Sequence, residues 1–232
     1  MAGRGGKTKD APFSIPEEAL SFFSALERNN NKAWFDKNRA KYQENVLEPL
    51  KFLVMALGSA LSKKLPGLKY EPRVNGSIFR INRDIRFSRN KNPYKTNAGV
   101  FLWVGPGHKL ACPGVYFHLE AGRVLLGSGV YMFAKESLDL YRRYAAVKGA
   151  ALARAIARAE RAGFSLEGEK LSRVPSGFPK DHEYAELLKM KGLSVIKEHP
   201  ARKVTGGDLV GWLTQEYTPT LELVKTLEKA VF

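Results

Sequence analysis

The residues best suited to chemistry lie between positions 73 and 97, where seven cations accompany a single acid, Asp84. The cations are Arg73, Arg80, Arg83, Arg86, Arg89, Lys91 and Lys95. Isoleucine and phenylalanine residues are interleaved with them, which predicts that part of this segment is buried. A buried guanidinium without an anionic partner is strongly destabilising. Because Asp84 can neutralise only one or two cations, the segment predicts a pocket for a bound anion.

Phosphate is an anion that this set of residues suits. The planar guanidinium group donates paired hydrogen bonds to phosphate or carboxylate oxygens. Residues 90–93, Asn-Lys-Asn-Pro, are typical of a turn that folds the following residues back over the arginine-bearing strand. The predicted anion-binding residues are Arg80, Arg83, Arg86, Lys91 and Lys95. The alternative is a basic surface hairpin, whose arginines are solvated or pair with acids such as Glu44 and Glu48.

Three residues are candidates for catalysis. Asp84 would orient the arginines, and His118 or Tyr94 would move a proton. Tyr116 and His118 alternate along a predicted strand and therefore share one of its faces. His118 could face the arginines, although a histidine in a strand is more often a hydrogen-bonded structural residue. The hydroxyl of Tyr94 could instead donate to the anion or its ring could stack on a base.

Metal and cofactor signals are weak. His118, His182 and either Asp84 or Glu120 have suitable ligand types, but no short-range histidine pair supports a metal site. The Gly127-x-Gly129 sequence lacks the third glycine of a dinucleotide fingerprint, which favours a strand bulge or a close backbone approach. We therefore predict no metal ligand, and the sequence specifies no cofactor.

The composition is that of a globular and strongly basic protein. The 232 residues include 38 Lys and Arg against 23 Asp and Glu, a net charge of +15, and 44% are hydrophobic. Such a charge attracts polyanions at long range. The single cysteine, Cys112, excludes an intramolecular disulfide. No apolar run reaches the roughly 18–20 residues of a membrane span. These features predict a cytoplasmic protein without a membrane partner, with a flexible basic tail over residues 1–12 and one domain over 13–232.

The predicted fold class is α+β, with helices packed on an antiparallel sheet. A capping box at Ser14 starts a helical N-terminal third, in which an asparagine of residues 29–31 caps the second helix. Short segments rich in β-branched and aromatic residues predict the strands. They are residues 77–81, 100–104, 115–120 and 124–130, with 193–197 as a further candidate and a hairpin at Ala121-Gly122. The predicted later helices are residues 137–144, 150–161 and 181–190, the last capped by Asp181, and 208–232, broken near Pro219.

One pattern resembles a known family. It is Arg80-x-x-Arg83-Asp84-x-Arg86-Phe87 followed by Lys91-x-Pro93-Tyr94-Lys95, with Asn31-Lys32-x-Trp34-Phe35, Tyr116-x-His118-Leu119-Glu120, Gly127-x-Gly129 and Pro175-x-Gly177-Phe178-x-x-Asp181-His182. Together these motifs resemble a bacterial and fungal family of conserved hypothetical proteins, a domain of unknown function of about this length. The resemblance covers nearly the whole predicted ordered chain. It implies that the cationic segment is a coherent site, and it implies no particular reaction.

Two functions of different classes remain open at this point. One is an enzyme acting on a phosphorylated small molecule or nucleotide, in which the cations hold the anion and His118 or Tyr94 moves a proton. The other is a nucleic-acid-binding domain, with the segment on backbone phosphates and Tyr94 or Phe87 stacked on bases. A closed pocket favours the first function, whereas a long positive groove favours the second.

Overall fold

The sheet has five strands, and every neighbouring pair is antiparallel. The computed structural model describes residues 12–232, so the predicted tail lies outside the described residues except for Pro12. The strands are β1 (Asn97–Trp103), β2 (Gly114–Glu120), β3 (Arg123–Val130), β4 (Ser165–Glu167) and β5 (Leu193–Pro200). Their order is β1-β2-β3-β5-β4. The predicted α+β class is therefore confirmed, and so is the hairpin between β2 and β3.

The region before the sheet is helical, as predicted, and its described part contains four α-helices. They are α1 (Glu17–Arg28), α2 (Lys32–Lys37), α3 (Arg39–Tyr42) and α4 (Glu48–Ser62), and a π-helical turn over Gln43–Leu47 joins the last two. The Asn31 side chain caps α2 by accepting from the Trp34 amide at 3.0 Å, which confirms an asparagine cap. The capping box at Ser14 is wrong, because Pro16 occupies the N-cap position of α1 and no side chain caps it.

The later helices agree with the prediction in part. They are α5 (Lys135–Arg161), α6 (Ala185–Leu188), α7 (Leu209–Tyr217) and α8 (Leu221–Val231). The two helices predicted over residues 137–144 and 150–161 both lie within α5, which is kinked between them at Lys148, a residue with non-helical backbone angles. The Asp181 cap is wrong, since α6 begins only at Ala185 and Asp181 lies in the preceding turn. The predicted break near Pro219 is a short 3₁₀ turn between α7 and α8.

The two faces of the sheet have different surroundings. On one face, apolar residues that alternate along each strand pack against α4, α5 and α8 and form part of one continuous buried cluster. Examples are Val100, Phe117, Leu126 and Val195, each at most 1% exposed. On this side the buried hydroxyls of Ser128 and Thr220 lie 2.6 Å apart. The opposite face, here called the cavity face, carries the alternate residues of the same strands.

The cationic segment runs along the outer edge of β1. The predicted strand over residues 77–81 forms only an isolated bridge between Ile78 and Val100, with main-chain hydrogen bonds from Phe79 to Gly99 and from Phe101 to Ser77, both 2.9 Å. The chain then leaves the sheet and returns as a loop. Residues 81–83 pair with 93–95 at its base. The Lys95 amide donates a hydrogen bond to the Ile81 carbonyl at 2.8 Å, and the Arg83 amide donates to the Pro93 carbonyl at 2.9 Å. The intervening residues 84–92 are called the basic loop below.

Candidate functional site

A cavity of about 500 Å³ lies on the cavity face. Small-molecule sites typically measure about 300–1,000 Å³. Its walls are mostly apolar, with Phe79 and Phe101 at the β1 side and Leu125 and Ile196 towards β3 and β5. A few residues with polar side chains also line it, namely Lys95, Asn97, Tyr116, Glu167 and Ser194. Apolar walls with a small number of polar groups are the usual composition of a site for an organic ligand.

Glycines form the floor of the cavity at two central positions of the sheet. Gly127 stands between Tyr116 and Ile196 in the register of three neighbouring strands, and a Cβ there would meet only ordinary contacts of 3.5 Å or more. A Cβ at Gly99 would instead lie 2.9 Å from the Tyr116 hydroxyl. The absence of a side chain at Gly99 therefore allows the phenol to lie against β1, and its absence at Gly127 leaves open volume.

Tyr116, His118 and Glu120 form a hydrogen-bonded row along the cavity face of β2. The Tyr116 hydroxyl lies 2.9 Å from His118 Nδ1, and His118 Nε2 lies 2.8 Å from a Glu120 carboxylate oxygen. Residues two apart on a strand share a face, so the side chains at positions 116, 118 and 120 can contact one another. His118 is mostly buried, with 18% of its side chain exposed. Of the three residues in this row, only Tyr116 lines the cavity.

The charges around the row define its protonation. The Arg123 guanidinium donates to Glu120 at 2.8 Å and, with the bond from His118, holds the pKa of that carboxyl below its ordinary value. An ionised carboxylate can only accept, so His118 donates from Nε2, and in the tautomer with its proton on Nε2 the Nδ1 atom accepts from the Tyr116 hydroxyl. Burial, followed by the Glu120 charge, raises the pKa of Tyr116 to about 12. The resting phenol is therefore a neutral donor to His118.

Lys95 supplies the cation of the cavity. Its ammonium is half-buried and lies 5.6 Å from the centre of the Phe79 ring. Burial and then the nearby positive charge of Arg80 lower the pKa of Lys95. Within residues 12–232, neither Lys95 nor Arg80 has a carboxylate within ion-pair distance. Lys95 in the lining, with the exposed Arg80 nearby, makes the β1 side of the cavity electropositive.

The arginines of the cationic segment, residues 73–97, lie mostly at the surface. Part of the segment is buried, but Arg80 and Arg86 are exposed and Arg83 is half-buried. Arg86 forms a paired interaction with Asp84, with contacts of 2.6 and 3.0 Å, at the protein surface. Arg83 donates to the Asn92 carbonyl and the Ser88 hydroxyl, both at 3.3 Å, and so holds the loop closed. These groups are satisfied by the loop or by solvent.

The remaining predicted site residues are also separated from the cavity lining. Lys91 is exposed and donates to the Ile85 carbonyl at 3.1 Å. Tyr94 is 6% exposed and stacks on Phe35, with ring centres 4.1 Å apart, in the core beneath the N-terminal helices. The structure therefore places Lys95 and Tyr116 in the lining of the same cavity, with the exposed Arg80 near Lys95, and it places Asp84, Arg86 and Lys91 on the basic loop.

Sequence reasoning missed the glycine floor and the central place of Tyr116. The available signal was the alternation of Tyr116, His118 and Glu120, which predicts three polar groups on one strand face. One further expectation was met, because a Cβ at Gly129 would overlap the Leu193 carbonyl, which is a close backbone approach. Over residues 12–232, no three His, Cys, Asp or Glu side chains are grouped so as to hold a metal ion.

The fold and the cavity define an α+β protein with a small-molecule-sized site on one face of its sheet. The family model described as conserved hypothetical protein (DUF2461) matches residues 18–225, and the chain belongs to this family. The predicted family membership is thereby confirmed. The comparison with curated proteins gave no match. In the described part of the chain, every helix is too short or too polar to cross a membrane.

Proposed function

We propose that the protein binds a phosphorylated organic molecule, of the size and chemistry of a nucleotide, in the cavity of the sheet. The observation that carries this proposal is the half-buried Lys95 at the electropositive end of an otherwise mostly apolar cavity. A phosphate at this end would supply the negative charge that Lys95 and Arg80 lack, and charge-assisted hydrogen bonds to phosphate are among the stronger ones.

The other walls fit the organic part of such a ligand. Phe79 and Tyr116 present aromatic rings near Lys95, and Leu125 and Ile196 extend the apolar surface across the sheet. Glu167 lies on the opposite edge strand, about 19 Å from β1 at a typical strand spacing. Its negative charge disfavours a phosphate at that end. The ligand would therefore bind with its phosphate towards Lys95 and its ring over the glycine floor.

Calorimetric titration with inorganic phosphate and the nucleoside monophosphates AMP, GMP, CMP and UMP tests this proposal. We expect at least one nucleotide to bind more tightly than phosphate alone. Gly127→Val fills the floor without a steric clash and suits a strand, so it should weaken binding at least about tenfold while leaving the melting temperature unchanged or higher. Gly122→Ala, in the β2–β3 turn with open space around it, is the matched control. Absence of nucleotide binding, or equal binding by Gly127→Val, refutes the proposal.

A specific observation favours a second candidate, binding of single-stranded nucleic acid at the basic loop. Phe87 is 96% exposed and stands beside the exposed Arg86, with Arg89 and Lys91 also exposed on the same loop. An exposed aromatic ring among cations is suited to base stacking and phosphate contacts, and stacking contributes about 1–3 kcal/mol per base.

Fluorescence anisotropy with a single-stranded oligothymidylate at several salt concentrations tests the second candidate. Phe87→Ala should weaken binding about 5- to 150-fold if the ring stacks on one base. Lys91→Met should lower the salt slope by about 0.7, the contribution of one phosphate contact on a single strand. No binding at low salt, or binding that both variants retain unchanged, excludes this role for the loop.

A further inference from the structure

The geometry points to Tyr116 as a catalytic residue that takes a proton from the bound ligand, with His118 accepting the phenol's own proton. This inference rests on the proposed function, since the same cavity holds the ligand. The substrate class is a phosphorylated compound with a hydroxyl or an acidic C–H group placed against the Tyr116 oxygen.

The proton transfer balances without a further reactant. The ligand's O–H or C–H bond breaks, its proton passes to the Tyr116 oxygen, and the electron pair stays on the ligand. At the same time the Tyr116 O–H bond breaks and that proton moves across the 2.9 Å contact to His118 Nδ1. The resulting imidazolium keeps its Nε2–H bond to Glu120 at 2.8 Å, so the carboxylate compensates the new positive charge.

Three observations favour this role over a purely structural hydrogen bond. Tyr116 lines the cavity, whereas His118 and Glu120 follow it along the strand, so the row leads from the ligand side along β2 towards the β2–β3 turn. The carboxylate is fixed from its far side by Arg123, which in turn pairs with Glu198 at 2.9 Å. The glycine at position 99 leaves room for the phenol hydroxyl where any other residue would displace it.

The proposed proton transfer through Tyr116 to His118, here called the relay, works differently from a tyrosine that is activated by a lowered pKa. Burial keeps Tyr116 protonated in the resting state, so its reactivity depends on a base that receives the proton during the reaction. His118 is in that position because its Nδ1 lone pair points at the phenol and its Nε2 proton is held by Glu120. Glu120 is a positioning residue, since it acts on the ligand only through His118.

Labelling with p-toluenesulfonyl fluoride tests the relay without a known substrate. In this reaction the phenol oxygen forms a bond to sulfur, fluoride leaves, and the phenol proton passes to the base. Peptide mass mapping then gives the labelling rate of each tyrosine. Tyr131, on the rim of the same cavity and 85% exposed, serves as the internal control because no hydrogen bond to a histidine assists it. General-base assistance typically contributes about 10²–10⁴-fold, so Tyr116 should react at least about tenfold faster than Tyr131.

Two variants separate a relay from simple accessibility. His118→Gln should reduce labelling of Tyr116 at least about tenfold without changing the labelling of Tyr131. Glu120→Gln should reduce the rate less, because the imidazole stays in place. A Tyr116 rate no greater than that of Tyr131, or one unaffected by His118→Gln, overturns the relay.

The same experiment distinguishes failure of the relay from failure of the proposed function. Protection of Tyr116 by a nucleoside monophosphate reports ligand binding, whereas the ratio of labelling rates reports the relay. Fast labelling without protection would support the relay and contradict the proposed ligand. Protection combined with a slow, His118-independent rate would support the ligand and contradict the relay.

Discussion

Replacing Lys95 by methionine should change ligand binding and stability in opposite directions. The variant keeps a side chain of similar length beside the Phe79 ring and removes the half-buried charge. Burial and Arg80 lower the pKa of Lys95 below its ordinary value of 10.5, so the charged form is less favourable in the folded protein than in the unfolded chain. Lys95→Met should therefore stabilise the ligand-free protein at neutral pH, although it removes the cation that holds the phosphate.

The size of the binding effect follows from one charged hydrogen bond. Such a bond contributes about 1.5–3 kcal/mol, and a factor of ten in affinity corresponds to about 1.4 kcal/mol, so Lys95→Met should weaken nucleotide binding about 10- to 150-fold. The stability effect depends on pH. The unfolded chain binds the Lys95 proton more tightly, so wild-type stability should rise as the pH increases from the folded-state pKa towards 10.5, and Lys95→Met should lack this rise.

Calorimetric titration and urea denaturation of the same preparations measure both effects. Lys91→Met is the matched control, because it removes the same charge from the exposed basic loop outside the cavity lining. Surface substitutions of this kind usually change stability by no more than about 0.5 kcal/mol. The reasoning is refuted if Lys91→Met weakens nucleotide binding as much as Lys95→Met, or if Lys95→Met destabilises the ligand-free protein at neutral pH.

Three further predictions concern the scaffold. Ser128→Ala leaves its buried hydroxyl partner with one hydrogen bond fewer and should cost about 1–3 kcal/mol in urea denaturation. Glu120, whose pKa the Arg123 bond holds below 4.5, stabilises the fold above that pH and loses this contribution as the pH falls through the folded-state pKa. Glu120→Gln should therefore flatten the acid side of the curve of melting temperature against pH, and an unchanged acid side would contradict this assignment. Gly149→Ala should destabilise the protein despite a helix-propensity gain of about 1 kcal/mol, because the new Cβ would overlap the Tyr184 ring. A raised melting temperature would show instead that the ring moves aside easily.

The fold was predictable where a local pattern and its tertiary role agree. Strands β2 and β3 are rich in aliphatic and aromatic residues around a tight Ala121-Gly122 turn, and both were predicted within one residue. Strand β4 was missed because its three residues, Ser165–Glu167, carry no alternation that a window could detect. Residues 77–81 have a strand pattern, but they pair with β1 only through an isolated bridge, a tertiary outcome that periodicity cannot predict.

The candidate site was predictable only in part, because sequence gives charge but not burial. The arginines were grouped correctly as a cationic segment, yet Arg86 and Phe87 face solvent, since the chain leaves the sheet between residues 83 and 93. His118 was selected from the alternation along its strand. The role of Gly99 and Gly127 depends on the cross-strand register, which pairs Gly127 with Tyr116 and Gly99 with His118, so that the Tyr116 side chain lies against both glycines.

The contact of residues 77–79 with β1 has a consequence for self-association. An uncovered outer strand can recruit a strand from another molecule through its free amides and carbonyls, which is a common start of aggregation. Here the main chain of Ser77 and Phe79 already occupies such groups on Gly99 and Phe101. The opposite border of the sheet ends in a strand of only three residues, which offers little length for intermolecular pairing. Both edges of the sheet are thus poor templates for pairing with a strand of another molecule. The protein can therefore keep the cavity face of its sheet open without polymerising through its strands.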